Sequence, residues 1–311
     1  MMEVRLYSPE YFRYQWVITS LKGGGLLERQ MEDTMEGKWI PATSVRSGVG
    51  QEVVPDMYCL TIQIVNVCFV GNPEQPNEWV LVDTGMPESA DDIISAASRR
   101  FGPNSRPKAI VLTHGHFDHV GAVVDLVKEW DVPVYAHERE MPYLTGKASY
   151  PQPDPTVEGG FVAKLSPLFP IEPVDLGNHV KELPADGSVP GMSGWRWIHT
   201  PGHTPGHISL FRESDRSLIV GDAFVTVRQD SLYKVVMQEQ EISGPPRYLT
   251  TDWQAARESV QRLEALNPAL AVTGHGMPIF GETLQRGLKK LANEFNRIAI
   301  PDYGRYVDGS H

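Results

Sequence analysis

The sequence predicts an α/β fold, because short apolar segments alternate with segments whose apolar residues recur at helical spacing. Residues 109–112 and 132–136 are short and apolar, which is typical of buried strands, and residues 121–130 between them have the periodicity of a helix. Clusters of histidine, aspartate and glycine follow directly after several of the predicted strands. The alternation therefore predicts a sheet covered by helices, and the polar clusters indicate a functional site at the strand ends.

The predicted elements follow one another from residue 58 onward. Residues 58–71 are rich in β-branched and apolar residues, and we expect one strand or two strands joined by a bend. Short strands are then expected at 79–82, 109–112, 132–136, 194–199, 208–211, 217–220 and 269–273. Helices are expected at 88–101, 121–130, 251–266 and 282–297. Asp252 stands where the N-cap of the third of these helices is expected.

This alternation stops between residues 138 and 176, which contain seven prolines and scattered aromatic residues. A stretch of this length without clear periodicity is typical of a functional lid or a poorly ordered insertion. No segment has the composition of a linker between domains. We therefore expect a single domain over residues 1–311, with a proline-rich insertion at about 138–176.

The overall composition excludes several classes of protein. With 311 residues, of which 41% are hydrophobic and 22% charged, the chain is typical of a globular protein rather than a disordered or fibrous one. Its net charge of −11 disfavours nucleic acid as a partner, because phosphate binding needs a basic surface. The longest apolar run, residues 58–70, is short and interrupted by polar side chains, so we do not expect it to span a bilayer.

The cysteines and the N-terminal residues indicate the compartment. Cys59 and Cys68 are too few for a disulfide framework, which favours a reducing environment. The first residues lack the basic and then apolar pattern of a secretory signal. We therefore expect a cytoplasmic protein that acts on a small molecule, without nucleic acid or membrane as a partner. The sequence is compatible with a homodimer.

Four potential metal ligands fall within six residues, directly after the predicted strand 109–112. They are His114, His116, Asp118 and His119. Neutral imidazoles and carboxylates are the ligands that Zn²⁺ and similar ions select. A solvated polar turn would explain a single His-x-His pair, but the combination His-x-His-x-Asp-His favours a metal site.

Three further candidate ligands also follow predicted strands. They are His203, Asp222 and His275, and each has a neighbouring glycine that lets the backbone turn sharply or approach closely. Taken alone, a Gly-His-Gly segment such as that around His275 is more typical of a loop. It becomes significant because it is one of four polar clusters at strand ends.

In this order, Asp83 in LVDTG, the segment THGHFDHVGA, His203, Asp222 and His275 resemble the motifs of the metallo-β-lactamase superfamily. The resemblance covers about residues 58–280. It implies an α/β fold of four layers, an αββα sandwich in which two mixed β-sheets face each other with helices outside. It also implies a metal site at one edge of the sandwich.

The resemblance further implies two metal ions with assigned ligands. Seven residues form two ligand sets with a shared bridge: His114, His116 and His203; Asp118, His119 and His275; and Asp222 as the bridge. Asp83 is expected beside the ligands, where its carboxylate would orient a ligand or its loop. His207 matches a flanking position of the family pattern and is not expected to bind metal.

Such a site implies a hydrolase. Two divalent ions, with zinc favoured and manganese or iron as alternatives, can hold a bridging hydroxide and lower the pKa of water to roughly 7. The hydroxide would attack the carbonyl of a small ester, thioester or lactone, and one ion would stabilise the oxyanion. Asp118 is the expected catalytic residue, because it would orient the nucleophile and carry its proton to the leaving group.

Two other activities stay open. A persulfide-dioxygenase-like member of the same superfamily would hold a single iron at the positions matching His114, His203 and Asp222. Phosphodiesterases also belong to the superfamily, although the acidic charge of this chain disfavours the nuclease branches. Lactonases of the family carry a tyrosine where this sequence has Val225, which disfavours acyl-homoserine lactones as substrates.

Loops between the ligand motifs are expected to shape the substrate pocket. The proline-rich insertion supplies Tyr143, and residues 224–248 supply Tyr233 and Arg247. The aromatic residues would form an apolar wall, and Arg247 would face an anionic group of the substrate. The alternative is that these side chains only pack the insertion onto the sandwich.

Overall fold

Two facing β-sheets organise the fold in the computed structural model, which describes residues 44, 47–158, 160–227 and 240–307. The described residues belong to the unit Ala42–His311. The predicted single domain also takes in residues 1–43, which lie outside the described part. The extent of the domain therefore stays a prediction.

The first sheet contains seven strands in chain order. They are β1 Gly50–Val54, β2 Met57–Ile62, β3 Val65–Val70, β4 Val80–Val82, β5 Ala109–Val111, β6 Val134–Ala136 and β7 Val180–Glu182. Strands β1 to β4 pair antiparallel, and β4 to β7 pair parallel. The segment 58–71 therefore forms a hairpin of two strands, with Gln63 in the left-handed region (φ 55°) at the turn.

The second sheet is built from the later part of the chain. The strands after β7 are β8 Trp195–His199, β9 Ile208–Arg212, β10 Ser217–Gly221, β11 Val225–Val227, β12 Gln240–Ser243, β13 Leu270–Thr273 and β14 Ile279–Phe280. Five of them pair in the order β14-β13-β10-β9-β8, in which β10 and β13 are parallel and the other neighbours antiparallel. Strands β11 and β12 pair separately.

The sequence pattern does not predict β1, β7, β11, β12 and β14. Strand β7 has two exposed residues out of three, and β14 is only two residues long. Strands β7 and β14 lie at the edges of their sheets and bury few side chains, so they leave no apolar signal in the sequence.

Seven helices are present in the described part of the chain. They are α1 Ala90–Phe101, α2 Val123–Trp130, α3 Met141–Leu144, α4 Gly160–Leu165, α5 Trp253–Ala265, α6 Gly281–Asn293 and α7 Phe295–Ile298. Asp252 caps α5, because its side chain accepts a hydrogen bond of 2.9 Å from the N–H of Ala255. The predicted helix 282–297 is instead two helices, since Glu294 (φ −115°) leaves helical geometry. Within the described residues, no helix is both long and apolar enough to cross a bilayer.

Three clusters of buried apolar side chains define four layers. Helices α1 and α2 pack on the outer face of the first sheet, where Leu126 is buried. Helices α5 and α6 pack on the outer face of the second sheet, where Val260 is buried. Between the sheets, side chains such as Val82 and Leu210 form the central core. This architecture is the αββα sandwich of two mixed sheets that the sequence implies.

The insertion at about 138–176 connects the parallel strands β6 and β7. It contains α3, α4 and the 3₁₀ turns Glu138–Glu140 and Ser166–Leu168. Two carboxylate side chains within it, those of Glu140 and Asp154, are fully buried. Its described residues are therefore part of the packed structure.

Candidate metal centre

Four loops meet at one edge of the sandwich, and each begins at the end of a strand. The potential ligands after β5, β8, β10 and β13 are, in this order, His114, His116, Asp118 and His119; His203; Asp222; and His275. All seven side chains are buried. The two sheets therefore deliver ligands from both sides of the sandwich to the same edge.

The seven side chains converge closely enough to bind metal ions. In three groups, one ligand atom of each residue lies within 4.8 Å of the others: His114, His116 and His203; His114, His119 and Asp222; and Asp118, His119 and His275. The first and third groups are the two ligand sets that the sequence resemblance implies. The structure thus brings all seven candidate ligands together in one cluster.

Asp222 lies between the two ligand sets. Its Oδ2 atom is 3.4 Å from His203 Nε2 in the first set. The same atom is 3.6 Å from His119 Nε2 and 3.3 Å from His275 Nε2 in the second set. A carboxylate that bridges two ions needs this central position.

The cluster leaves several polar atoms without hydrogen-bond partners. Seven buried side-chain atoms of the described residues make no hydrogen bond, and three of them lie in the cluster: His114 Nε2, His119 Nε2 and Asp222 Oδ1. An unpaired buried polar atom costs about 1–3 kcal/mol, so such atoms are rare in folded proteins. All three belong to the converging ligand groups, where divalent cations would satisfy them. The residues present therefore fit metal ions.

Asp83 contacts both a ligand and the loop that carries it. Its Oδ2 lies 2.8 Å from His119 Nδ1 and accepts a hydrogen bond of 2.8 Å from the hydroxyl of Thr113. Its Oδ1 accepts a hydrogen bond of 2.8 Å from the N–H of Thr113. Asp83 also adopts a left-handed backbone conformation (φ 59°), which is uncommon for a residue other than glycine. A carboxylate on the outer nitrogen of a ligating histidine fixes its tautomer and ring orientation.

His203 and His275 are also held through their outer nitrogens. His203 Nδ1 lies 3.2 Å from the hydroxyl of Thr250, which precedes α5. His275 Nδ1 donates a hydrogen bond of 2.9 Å to the carbonyl of Ile64 in the turn between β2 and β3. In both residues, Nε2 is thereby left to face Asp222.

Burial is the largest influence on the pKa values of the histidines. It lowers the pKa of His203 well below its ordinary value and that of His116 to about 4, which favours the neutral imidazole that binds metal. At His275 burial also lowers the pKa, but the carboxylates of Asp222 and Asp118 outweigh it and raise the pKa to about 10. Metal binding at His275 therefore competes with a proton.

His207 is adjacent to the cluster, but both of its ring nitrogens are engaged elsewhere. Its Nε2 accepts a hydrogen bond of 2.8 Å from the N–H of Asp222, and its Nδ1 lies 2.9 Å from the hydroxyl of Thr200. It therefore supports the backbone of a ligand. His137 and His199 stack on each other, with 4.2 Å between their ring centroids, and belong to none of the ligand groups.

Sequence reasoning does not single out Glu140 as a functional residue, yet it contacts the ligand loops. Its Oε2 and the hydroxyl of Tyr150 both accept a hydrogen bond from the N–H of Gly115, at 3.0 and 2.9 Å. The ring of Tyr150 lies 4.5 Å from that of His116. Both residues belong to the insertion, where no periodic pattern indicates which side chains turn inward.

Asn66 is a second supporting residue without a motif around it. Its Nδ2 donates hydrogen bonds of 2.9 Å to the carbonyl of Thr273 and 2.6 Å to that of Gly276. These two residues flank the segment that carries His275. Its signal in the sequence is that a polar residue interrupts an otherwise apolar strand, β3.

The three residues predicted for the substrate pocket have different placements. Tyr143 is half-buried and stacks on Tyr150, with 3.9 Å between the ring centroids. Tyr233 lies outside the described residues. Arg247 donates a hydrogen bond of 3.0 Å to the carbonyl of Ala299, so its guanidinium secures the end of α7. That Arg247 faces an anionic group of the substrate stays a prediction.

Comparison with known proteins agrees with this geometry. A family model for the metallo-beta-lactamase superfamily matches residues 60–275. The probable metallo-hydrolase YflN of Bacillus subtilis (strain 168) is 51% identical over 264 residues, which are 85% of this chain and 100% of that protein. The probable metallo-hydrolase YybB of the same organism is 30% identical over 199 residues, which are 64% of this chain and 76% of that protein.

A solved structure supports the fold at lower identity. The B3 metallo-beta-lactamase with an active-site glutamic acid superposes with a TM-score of 0.55 over 86% of this chain and 92% of its own, at 18% identity. That likeness concerns the fold alone. Because the family model spans most of the chain and includes every candidate ligand, the chain belongs to the metallo-β-lactamase superfamily.

Proposed function

We propose that this chain is a hydrolase that depends on two divalent metal ions and cleaves small esters, thioesters or lactones. The observation that carries the proposal is the position of Asp222, whose Oδ2 lies within 3.6 Å of ring nitrogens from both ligand sets. When bound, two divalent cations, with zinc favoured by the histidine-rich ligands, supply a water of lowered pKa and a Lewis acid for a carbonyl oxygen. The name of its relative YflN, a probable metallo-hydrolase, agrees with this reaction class.

Asp118 has the properties of the proposed catalytic carboxylate. Burial raises its pKa, but the charge of His119 and then the hydrogen bond and charge of His275 together outweigh burial and lower the pKa below the ordinary value. Its Oδ2 lies 3.3 Å from His275 Nε2, inside the second ligand set. An ionised carboxylate at this position can orient a nucleophilic water, accept its proton and release that proton to the leaving group.

Aromatic side chains flank the cluster on the side of Phe117. The ring centroids of Phe117 and Phe169 are 5.4 Å apart, and those of Phe169 and Tyr248 are 5.6 Å apart. Burial raises the pKa of the Tyr248 phenol, and the carboxylates of Asp118 and Asp222 raise it further. The phenol therefore stays protonated near the cluster. Together these rings offer an apolar wall with one hydrogen-bond donor, which suits an acyl group rather than a phosphodiester.

The proposed setting is the cytoplasm, with a small molecule as the substrate. Cys59 and Cys68 are unpaired thiols buried opposite each other on β2 and β3, which suits a reducing compartment. The net charge of −11 supports the proposal that nucleic acid is not a partner.

The purified protein is expected to contain about two metal ions per chain and to prefer carbonyl substrates. Metal analysis of protein produced without added metal measures the first quantity. Turnover of p-nitrophenyl esters, acyl thioesters, lactones, a β-lactam and bis-p-nitrophenyl phosphate measures the second. A single iron with oxygen uptake would instead indicate the dioxygenase-like reaction, and preference for the phosphodiester would contradict carbonyl hydrolysis.

Replacing a ligand is expected to remove metal and activity together. His116→Ala deletes a ligand of the first set and Asp222→Ala deletes the bridge, so each variant should lose about one ion per chain or more. His199→Ala is the control, because this half-buried histidine lies outside the ligand groups. Metal content and activity both at the wild-type level in either ligand variant would refute the assignment.

Asp118→Asn is expected to lower kcat by about 10²–10⁴-fold while metal content falls much less. The amide oxygen can still bind an ion, whereas the amide cannot accept a proton. Metal content and kcat are measured on the same preparations. An equal loss of both would reduce Asp118 to a ligand without a catalytic role.

Tyr143→Ala is expected to change the ranking of acyl substrates by chain length, because Tyr143 is the partly exposed member of the stacked pair beside His116. The effect is measured as kcat/KM across a series of p-nitrophenyl esters, with a change of about tenfold for the longest chains. Tyr303→Ala is the control, since Tyr303 is an exposed tyrosine. The same ranking in wild type and Tyr143→Ala would mean that Tyr143 does not line the pocket.

A further inference from the structure

Glu140 is a carboxylate with no exposed surface, located directly after β6 at the start of the insertion. The donors that reach it in the described structure are two backbone amides and two hydroxyls, all of them neutral. Burying a carboxylate without a cationic partner is costly, so its retention calls for a specific reason.

The two oxygens of Glu140 contact two different ligand loops. Oε1 accepts hydrogen bonds of 2.8 Å from both the hydroxyl of Thr204 and the N–H of Gly206. Oε2 accepts a hydrogen bond of 3.0 Å from the N–H of Gly115 and another from the hydroxyl of Tyr150. Gly115 directly precedes His116 in the first loop, and Thr204 directly follows His203 in the second. One carboxylate thus joins two loops that are distant in sequence.

The close approach of these groups requires the two glycines. A Cβ atom at Gly206 would lie 2.7 Å from Glu140 Cγ, and a Cβ atom at Gly115 would lie 2.7 Å from the hydroxyl oxygen of Tyr150. Any larger residue would push the loops away from the carboxylate. Gly115 and Gly206 therefore allow the two ligand loops to contact the insertion closely.

The contacts of Glu140 fall next to ligands of the first set, because Gly115 lies between His114 and His116 and Thr204 follows His203, although Asp118 and His119 lie further along the first of these loops. In the second set, His119 is held by Asp83 and His275 by the carbonyl of Ile64. In the first set, His116 and His203 sit on the loops that Glu140 joins, and His116 Nδ1 lies 3.0 Å from His203 Nε2. The two sets are therefore supported by different groups.

We infer that Glu140 is a positioning residue that holds His116 and His203 together as the ligand pair of one metal ion, with Tyr150 as its partner. The inference rests on the proposed two-ion site. The inference is selective. Loss of this carboxylate, which accepts four hydrogen bonds, should weaken binding of the metal ion held by the first ligand set and leave binding of the ion held by the second set unchanged.

The test compares Glu140→Gln with wild type and with Asp154→Asn, all as full-length protein. Glutamine has nearly the same shape, but one of the two carboxylate oxygens is replaced by an NH₂ group. That group cannot accept hydrogen bonds from the two donors that it would face. Asp154 is the matched control, because it is also a fully buried carboxylate of the insertion and accepts hydrogen bonds from Thr156 and Arg305, away from the ligand loops. Zinc binding is measured by competition with a chromophoric chelator, and the thermal midpoint of the metal-free protein is recorded alongside.

In Glu140→Gln, one of two zinc ions is expected to bind about 10–100-fold more weakly, and the other with wild-type affinity. Tyr150→Phe keeps the ring and removes one donor to Glu140 and one acceptor for the N–H of Gly115, while Glu140 itself remains, so it should weaken the same ion by a smaller factor. The effects of the two substitutions should not add in the double variant, because they remove one shared contact. Asp154→Asn should change the thermal midpoint without changing zinc affinity.

Equal weakening of both ions in Glu140→Gln, or the same zinc affinities as wild type, would overturn the inference. If Glu140→Gln does not fold, Tyr150→Phe carries the same comparison. Failure of the proposed function has a different signature, because it would be seen in the wild-type protein. Wild type with one zinc ion contradicts the two-ion site; if His116→Ala removes that ion, it belongs to the first set and must still weaken in Glu140→Gln. Wild type without zinc binding contradicts both.

Discussion

Seven buried polar side chains from four loops must bring their ligand atoms to within a few ångströms of one another, and this constraint governs the structure around the site. Such a cluster is unfavourable by itself, because burial disfavours charged groups and leaves atoms such as His114 Nε2 without partners. Divalent cations would offset this cost only if the ligand atoms stay in place. The loops are therefore held from outside by hydrogen bonds that do not involve the metal-facing atoms.

The sandwich and the insertion share this task. The first sheet supports the second ligand set through Asp83 after β4, which contacts His119, and through Asn66 in β3, which holds the loop of His275. The insertion supports the first set through Glu140 and Tyr150. Residues at or near the strands thus support one half of the cluster, while the other half is supported by a segment without regular secondary structure over most of its length.

The sequence predicts those features that have a local cause. Strand ends followed by ligating residues and glycine identify the metal cluster, and Asp252 identifies the start of α5, because each signal lies within a few residues. Glu140 and Asn66 act through contacts with distant parts of the chain, which a single sequence does not encode as a pattern. The contacts of Arg247 with the carbonyls at the end of α7 are equally hidden from the sequence, because they join residues about 50 positions apart.

The insertion also links the partly exposed Tyr143 to the candidate ligands. Tyr143, which is partly exposed, stacks on Tyr150; Tyr150 packs against His116 and bonds to Glu140, which in turn holds the loop of His203. In the proposed function, a bulky substrate that displaced Tyr143 would therefore also displace the ligand pair through packed side chains, since buried contacts of this kind leave little free volume. Under the proposed function, substrate selection and metal geometry are thus coupled. An insertion of different shape, placed between the same two strands, would alter both.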